Sequence, residues 1–190
     1  MAKYFMMECI EPMDWDDSAV LRTVPLPVGE ESWRFGRRFR TAPIEPIVIE
    51  LLDTHSDQLL EMYKASAFVI TKRLLRALEE CGVGNLDVYE TVIRHPVTKF
   101  ETSDYVAANL IGLIGATDLN RSTVVGGSTD RLIDVDFDAV AIDEAKTKEL
   151  LMFRLAENTS AIVVHERLKT HLLSRGFDSL DFLLPEQWVG

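Results

Sequence analysis

The sequence predicts an α+β fold, a mostly antiparallel sheet with a few helices, built around two copies of a strand–helix–strand unit. Three observations predict it. The stretch AFVITKRLLRALEECGVGNLDV, Ala67–Val88, returns without a gap as AIVVHERLKTHLLSRGFDSLDF at Ala161–Phe182. Segments such as IDVDFD, from Ile133, alternate apolar and polar residues with the period of a half-buried strand. The chain has 190 residues at 47% hydrophobic composition, enough for one sizeable core. We therefore expect a single domain over 1–190, an internal repeat at 67–89 and 161–183, and a loop-rich acidic and basic segment at 11–43.

Lys3–Ile10 has the β-rich, half-buried character of a first strand. Glu11–Glu31 is acidic and interrupted by Pro12, Pro25, Pro27 and Gly29, which marks loop. IEPIVIELL, between Pro46 and Asp53, reads as a strand, and Ser56 with Asp57 as the start of a short helix through Tyr63. In the first copy, Phe68–Ile70 is apolar and Thr71 suits an N-cap. Leu74, Leu75, Leu78 and Cys81 share a helix face, Gly82 ends the helix, and Leu86–Ile93 returns as a strand. The second copy has Leu168 and Leu172 on its helix face, Gly176 at the end and Leu180–Leu184 as strand, with His165 at the capping position. Between the copies, Tyr105–Asn120 fits strand or helix equally. A turn at Gly126–Gly127 leads to an alternating strand with Ile133, Val135 and Phe137 inward and Asp134, Asp136 and Asp138 outward. LLMFRLAE, from Leu150, is a further strand.

The repeat is chiefly architectural. Ala67/Ala161, Val69/Val163, Leu74/Leu168, Leu78/Leu172, Gly82/Gly176 and Leu86/Leu180 coincide, all packing or backbone positions. Arg73/Arg167 and Asp87/Asp181 are the charged coincidences, and bonds to helix ends or turns are the expected role for them.

The charge balance, 31 acids against 20 Lys and Arg for a formal net of −11, repels nucleic-acid phosphate and anionic lipid and favours basic partners. No stretch approaches the length of a membrane span, and the N-terminal residues lack the basic and long apolar regions of a signal peptide. We expect a soluble, cytoplasmic chain with Cys9 and Cys81 as reduced thiols, no membrane partner and no cofactor. No local catalytic or metal constellation is written. A nucleophile elbow and a phosphate loop are absent, His165 and His171 lack zincin spacing, and a calcium loop counted from Asp134 meets Ala139 and Ala145 where Gly and Glu are needed. The basic, aromatic run Trp33–Arg40 resembles a single-strand-binding segment. In so acidic a chain, pairing of its arginines with Asp14–Asp17 and Glu30–Glu31 is the stronger reading, and no nucleic-acid partner is expected. Trp15 and Trp33 suit core burial or service as interface anchors. The candidate partner-binding residues are Trp15, Asp16, Asp17, Trp33, Asp134, Asp136 and Asp138.

The second copy AIVVHERLKTHLLSRGFDSLDFLLPE, its echo FVITKRLLRALEECGVGNLDVYETVI, the intervening SDYVAANLIGLIGATDLNRSTV and the strand LLMFRLAE together resemble a bacterial immunity-protein domain of polymorphic toxin systems, the Myxococcus-type family formerly catalogued as an uncharacterised domain. The resemblance runs from about Ile47 to the C-terminus and includes the family's Asp-x-x-x-Ser stretch, here Asp118 to Ser122. Thr71 and His165 stand where that family usually has serine. The resemblance implies a protein that binds and neutralises a cognate toxin, encoded by the adjacent gene, in the producing cell. It implies no catalytic residues. Net charge adds the expectation that the toxin is basic. Two alternatives stay open: an enzyme with a non-local site drawing on Asp118, His165 or Glu166, and a scaffold subunit that assembles as a homo-oligomer.

Overall fold

Residues 3–10, 18–52, 58–64, 66–125 and 135–190 are described by a computed structural model. The sequence features at Asp14–Asp17 (with Trp15), Ser56–Asp57, Gly126–Gly127 and Ile133–Asp134 lie outside them. The described strands, in chain order, are β1 (Tyr4–Cys9), β2 (Ile47–Glu50), β3 (Met62–Tyr63), β4 (Phe68–Thr71), β5 (Leu86–Arg94), β6 (Glu101–Thr102), β7 (Tyr105–Leu110), β8 (Leu113–Ile114), β9 (Thr123–Val124), β10 (Phe137–Ala139), β11 (Met152–Leu155), β12 (Ile162–His165) and β13 (Leu180–Leu183). The helices are α1 (Lys72–Cys81) and α2 (Glu166–Ser174). Mixed, mostly antiparallel sheets with two helices make this an α+β protein.

Each repeat copy builds a split β-α-β unit. In one sheet, ordered β2-β5-β7-β4-β3, β4 and β5 both run antiparallel to β7, which lies between them. In the other, ordered β13-β1-β12-β11-β8, β12 and β13 flank β1 in the same way. The two central strands begin alike: Tyr105 pairs with Thr71, and Tyr4 pairs with His165. The chain supplies the first centre after its repeat copy and the second from its N-terminus. The equivalence is therefore invisible in the linear order of the motifs.

Local chemistry sets the helix ends. Thr71 is extended and its Oγ1 accepts from Leu74 N–H at 3.0 Å, a cap worth about 1 kcal/mol. Gly82 ends α1 with φ of 101°, a conformation that costs side-chain-bearing residues energy. In α2 the cap is a histidine: Nδ1 of His165 accepts from Arg167 N–H at 3.0 Å. The paired arginines then cross over. Arg73 Nη2 donates to the Arg175 and Gly176 carbonyls at 3.0 and 2.9 Å, and Arg167 Nη2 donates to the Cys81 carbonyl at 2.7 Å. Each copy thus satisfies the orphan carbonyls at the end of the other copy's helix, where a cation also meets the negative end of the helix dipole. The paired aspartates diverge: Asp87 pairs with Arg38, whereas Asp181 accepts from the N–H of Phe182.

Both helices and one face of each sheet share a core that includes Leu74, Leu78, Leu168 and Leu172, all 0% exposed. Truncating any of the four to alanine should cost roughly 2–5 kcal/mol. The sheets' far faces are covered too. Tyr4, Met6, Phe153 and Val163 lie with Phe137 and Trp188, while Val69 and Ala107 lie with Ile49, Val24 and Trp33. Burial on both faces explains why YVAANL carries no alternation; it is strand β7, buried throughout.

One expectation needs correction. The helix expected through Tyr63 gives way to β3, because Met62 and Tyr63 pair with Ile70 and Val69 and Met62 is buried. Sheet pairing and burial outweigh a weak local signal there. On α1 Leu74, Leu78 and Cys81 are buried as the spacing predicts, Ala77 joins them, and the half-buried Leu75 packs against the same core.

Candidate functional site

Two concave regions concentrate polar chemistry. The first is an acidic hollow of about 710 Å³ beside β10, whose lining includes Asp118, Asp143, Glu144 and Glu186. Lys3 and Arg121 are the cations among its lining residues. Asp118 faces Arg121 at 4.0 Å and Asp143 faces Lys146 at 3.2 Å. Asp118 also organises a turn: its carboxylate accepts from Asn120 N–H at 3.1 Å and its carbonyl from Ser122 Oγ at 2.8 Å. Ser122 Oγ in turn accepts from Ala141 N–H at 2.8 Å. The Asp118 to Ser122 stretch therefore pins one wall of the hollow to the segment after β10.

Asp136 and Asp138 are exposed and precede the lining residue Ala139, alternating with buried Val135 and Phe137 as the period of two requires. Neither carboxylate has an ion-pair partner among the described residues. The regular strand is shorter than the sequence pattern implies, Phe137–Ala139, and a register shift separates Phe137 from Ala139 where they pair with β9. Trp15, Asp16, Asp17 and Asp134 lie outside the described residues. Trp33 requires a correction: it is 1% exposed, its Nε1 donates to the Pro25 carbonyl at 3.1 Å, and Phe39 packs edge-on at 4.8 Å. An indole so enclosed cannot be a surface anchor and belongs to the core. The neighbouring arginines pair partly as expected, Arg37 with Glu30 at 3.7 Å and Arg38 with Asp87.

His165 and Glu166 are not among the lining residues of the hollow that Asp118 lines. His165 Nδ1 is committed to capping α2, and Tyr4 packs edge-on to its ring at 5.2 Å. Burial, then the nearby Lys3 ammonium, lowers its pKa and favours the neutral ring that such a cap needs. Glu166 is exposed in the first turn of α2, a position that suits the helix dipole.

The second region lies where the chain crosses from one sheet to the other, at Ile111–Gly112. Gly36 packs so closely here that a Cβ would sit 2.8 Å from Leu113 N. Against this seam lies Arg154 of β11, 0% exposed. Its Nη1 donates to the Thr159 carbonyl at 2.7 Å, while Nε and Nη2 have no partner among the described residues. Burial, followed by the charge of Arg34, pulls its pKa down to about 10. Arg154 is absent from the candidates of the sequence, although it carries a signal there: one cation within MFRL, a strand otherwise apolar on both faces.

The chain matches no family model and no curated protein. Among the described residues, no helix is long and apolar enough to cross a membrane, and no cluster of three His, Cys, Asp or Glu side chains has metal-holding geometry.

Proposed function

We propose that this protein is an immunity protein that neutralises a cognate toxin by stoichiometric binding in the cytoplasm of the producing cell. The toxin presents a basic face and is encoded by the adjacent gene, and neutralisation involves no turnover. The observation that carries the reading is the acidic hollow, with the exposed Asp136 and Asp138 on the strand segment that leads to its lining residue Ala139. An acidic concavity focuses field toward a cationic partner, which raises encounter rates and rejects partners of the wrong sign. The architecture is compatible with such a role, because the repeat's shared residues are occupied with packing and helix capping, which leaves surface chemistry to the segments between the copies.

Co-expression with the adjacent gene's product tests the proposal. Rescue of growth and a one-to-one complex on co-purification are expected. A D136N/D138N/E144Q variant should fold normally yet associate more slowly, with a weaker dependence on salt. Absence of both rescue and complex would refute the reading.

A further inference from the structure

A buried guanidinium is ordinarily paired, because charge removed from water without a partner destabilises the native state strongly. Arg154 departs from that rule. It is wholly enclosed, one nitrogen is bonded to a carbonyl, and no carboxylate lies within ion-pair distance among the described residues. The two unpartnered nitrogens are informative. Nε–H and one Nη2–H of an arginine point the same way, forming the side-on edge that grips both oxygens of a carboxylate.

That residue adjoins a cavity. Thr159, which accepts from Arg154 Nη1, lines a hollow of about 670 Å³. So does Leu113, the ladder partner of Arg154 across the seam. Arg34 lines the same hollow, close enough that its charge acts on Arg154. Leu26, Phe35 and Leu113 are apolar lining residues at 42%, 44% and 36% exposure. Glu31 is the carboxylate among the lining residues and is exposed. The volume falls within the range typical of small-molecule sites, where a mostly apolar wall carries a few orienting polar groups.

We propose that this seam cavity binds an organic carboxylate on an apolar body, with Arg34 as its first contact and the side-on edge of Arg154 as its second. The apolar body lies against Leu26, Phe35 and Leu113. Since Arg154 is enclosed, the carboxylate reaches its edge by shifting the Ala156–Thr159 turn. The chemistry is that of a free aliphatic or aromatic acid, or of the C-terminus of a chain ending in an apolar residue. The proposal is independent of toxin binding, which the acidic hollow serves.

Calorimetry and thermal shift on the full chain test it with octanoate and N-acetylphenylalanine, each beside its uncharged amide, and with inorganic phosphate. At least one acid should bind and raise the melting temperature, while the amides and phosphate should not; the tighter acid distinguishes a free acid from a chain terminus. Arg34→Gln should weaken binding about tenfold, and Arg154→Met should abolish it. Three results would each overturn the proposal: equal binding of acid and amide, wild-type affinity in Arg154→Met, or no response to either acid up to about 10 mM, the weak end for a small ligand. Phosphate binding as tight as that of the acids would overturn the carboxylate assignment. Arg34→Gln, altering a residue at the cavity surface, keeps the test decisive should Arg154→Met fail to fold.

Discussion

Replacing Arg154 with methionine should stabilise the protein, the reverse of what truncating a core residue normally does. The guanidinium is 0% exposed, bonded once to the Thr159 carbonyl, and leaves Nε and Nη2 without partners among the described residues. Each unsatisfied buried group destabilises by roughly 1–3 kcal/mol, and the single charge-assisted bond contributes about 1.5–3 kcal/mol. Methionine retains much of the stem's volume, so the cavity penalty stays small. The half-buried Thr159 can turn its carbonyl toward water. The balance favours the variant by about 1–3 kcal/mol, in line with replacements of buried charges by apolar residues. For a chain of this length that raises the melting temperature by roughly 2–4 °C per kcal/mol. Urea unfolding followed by tryptophan fluorescence would read it as a higher midpoint at constant slope. A loss of more than about 1 kcal/mol would refute the reasoning, because it would mean that the charge is well paired in the native state.

Further outcomes follow from the repeat and its surroundings. Arg73→Met should cost about 1–2 kcal/mol and Arg167→Met about 1 kcal/mol in urea unfolding, since Arg73 makes two carbonyl bonds and lies 4.0 Å from the Phe177 ring centre while Arg167 makes one bond. The pKa of His165 is lowered by folding, so its contribution to stability is complete above the unfolded value near 6.5 and is lost as pH falls from there through the lower folded value. His165→Thr, which installs the cap of the first copy, should remove that part of the acid sensitivity in unfolding curves at pH 7.5 and 5. Thr71→Ala should destabilise by about 1 kcal/mol through loss of the cap to Leu74, measured the same way. Gly36→Ala should destabilise by at least about 1 kcal/mol, since φ is 62° and the added Cβ meets Leu113 backbone; unchanged thermal unfolding would contradict the close approach described at the seam.

What was legible in the sequence was governed by short-range chemistry. Thr71 and Gly82 mark their helix ends because a hydroxyl acceptor and a left-handed backbone act within a few residues. Leu74, Leu78, Leu168 and Leu172 declare a buried face because helical spacing alone brings them together. The alternation of Val135, Asp136, Phe137 and Asp138 likewise separates inside from outside without reference to any partner strand. Tertiary structure alone decided which distant groups meet. It made the N-terminal β1 the centre of the second unit, sent Arg73 and Arg167 to each other's helix ends, drew Met62 and Tyr63 into a strand and enclosed Trp33. It also placed Arg154 at the seam beside Arg34, across a separation in the chain that no local pattern spans. The physical reason is common to all of these. Capping and periodicity are intrinsic to a segment, whereas burial of a charge or an indole depends on which surface the rest of the chain lays over it.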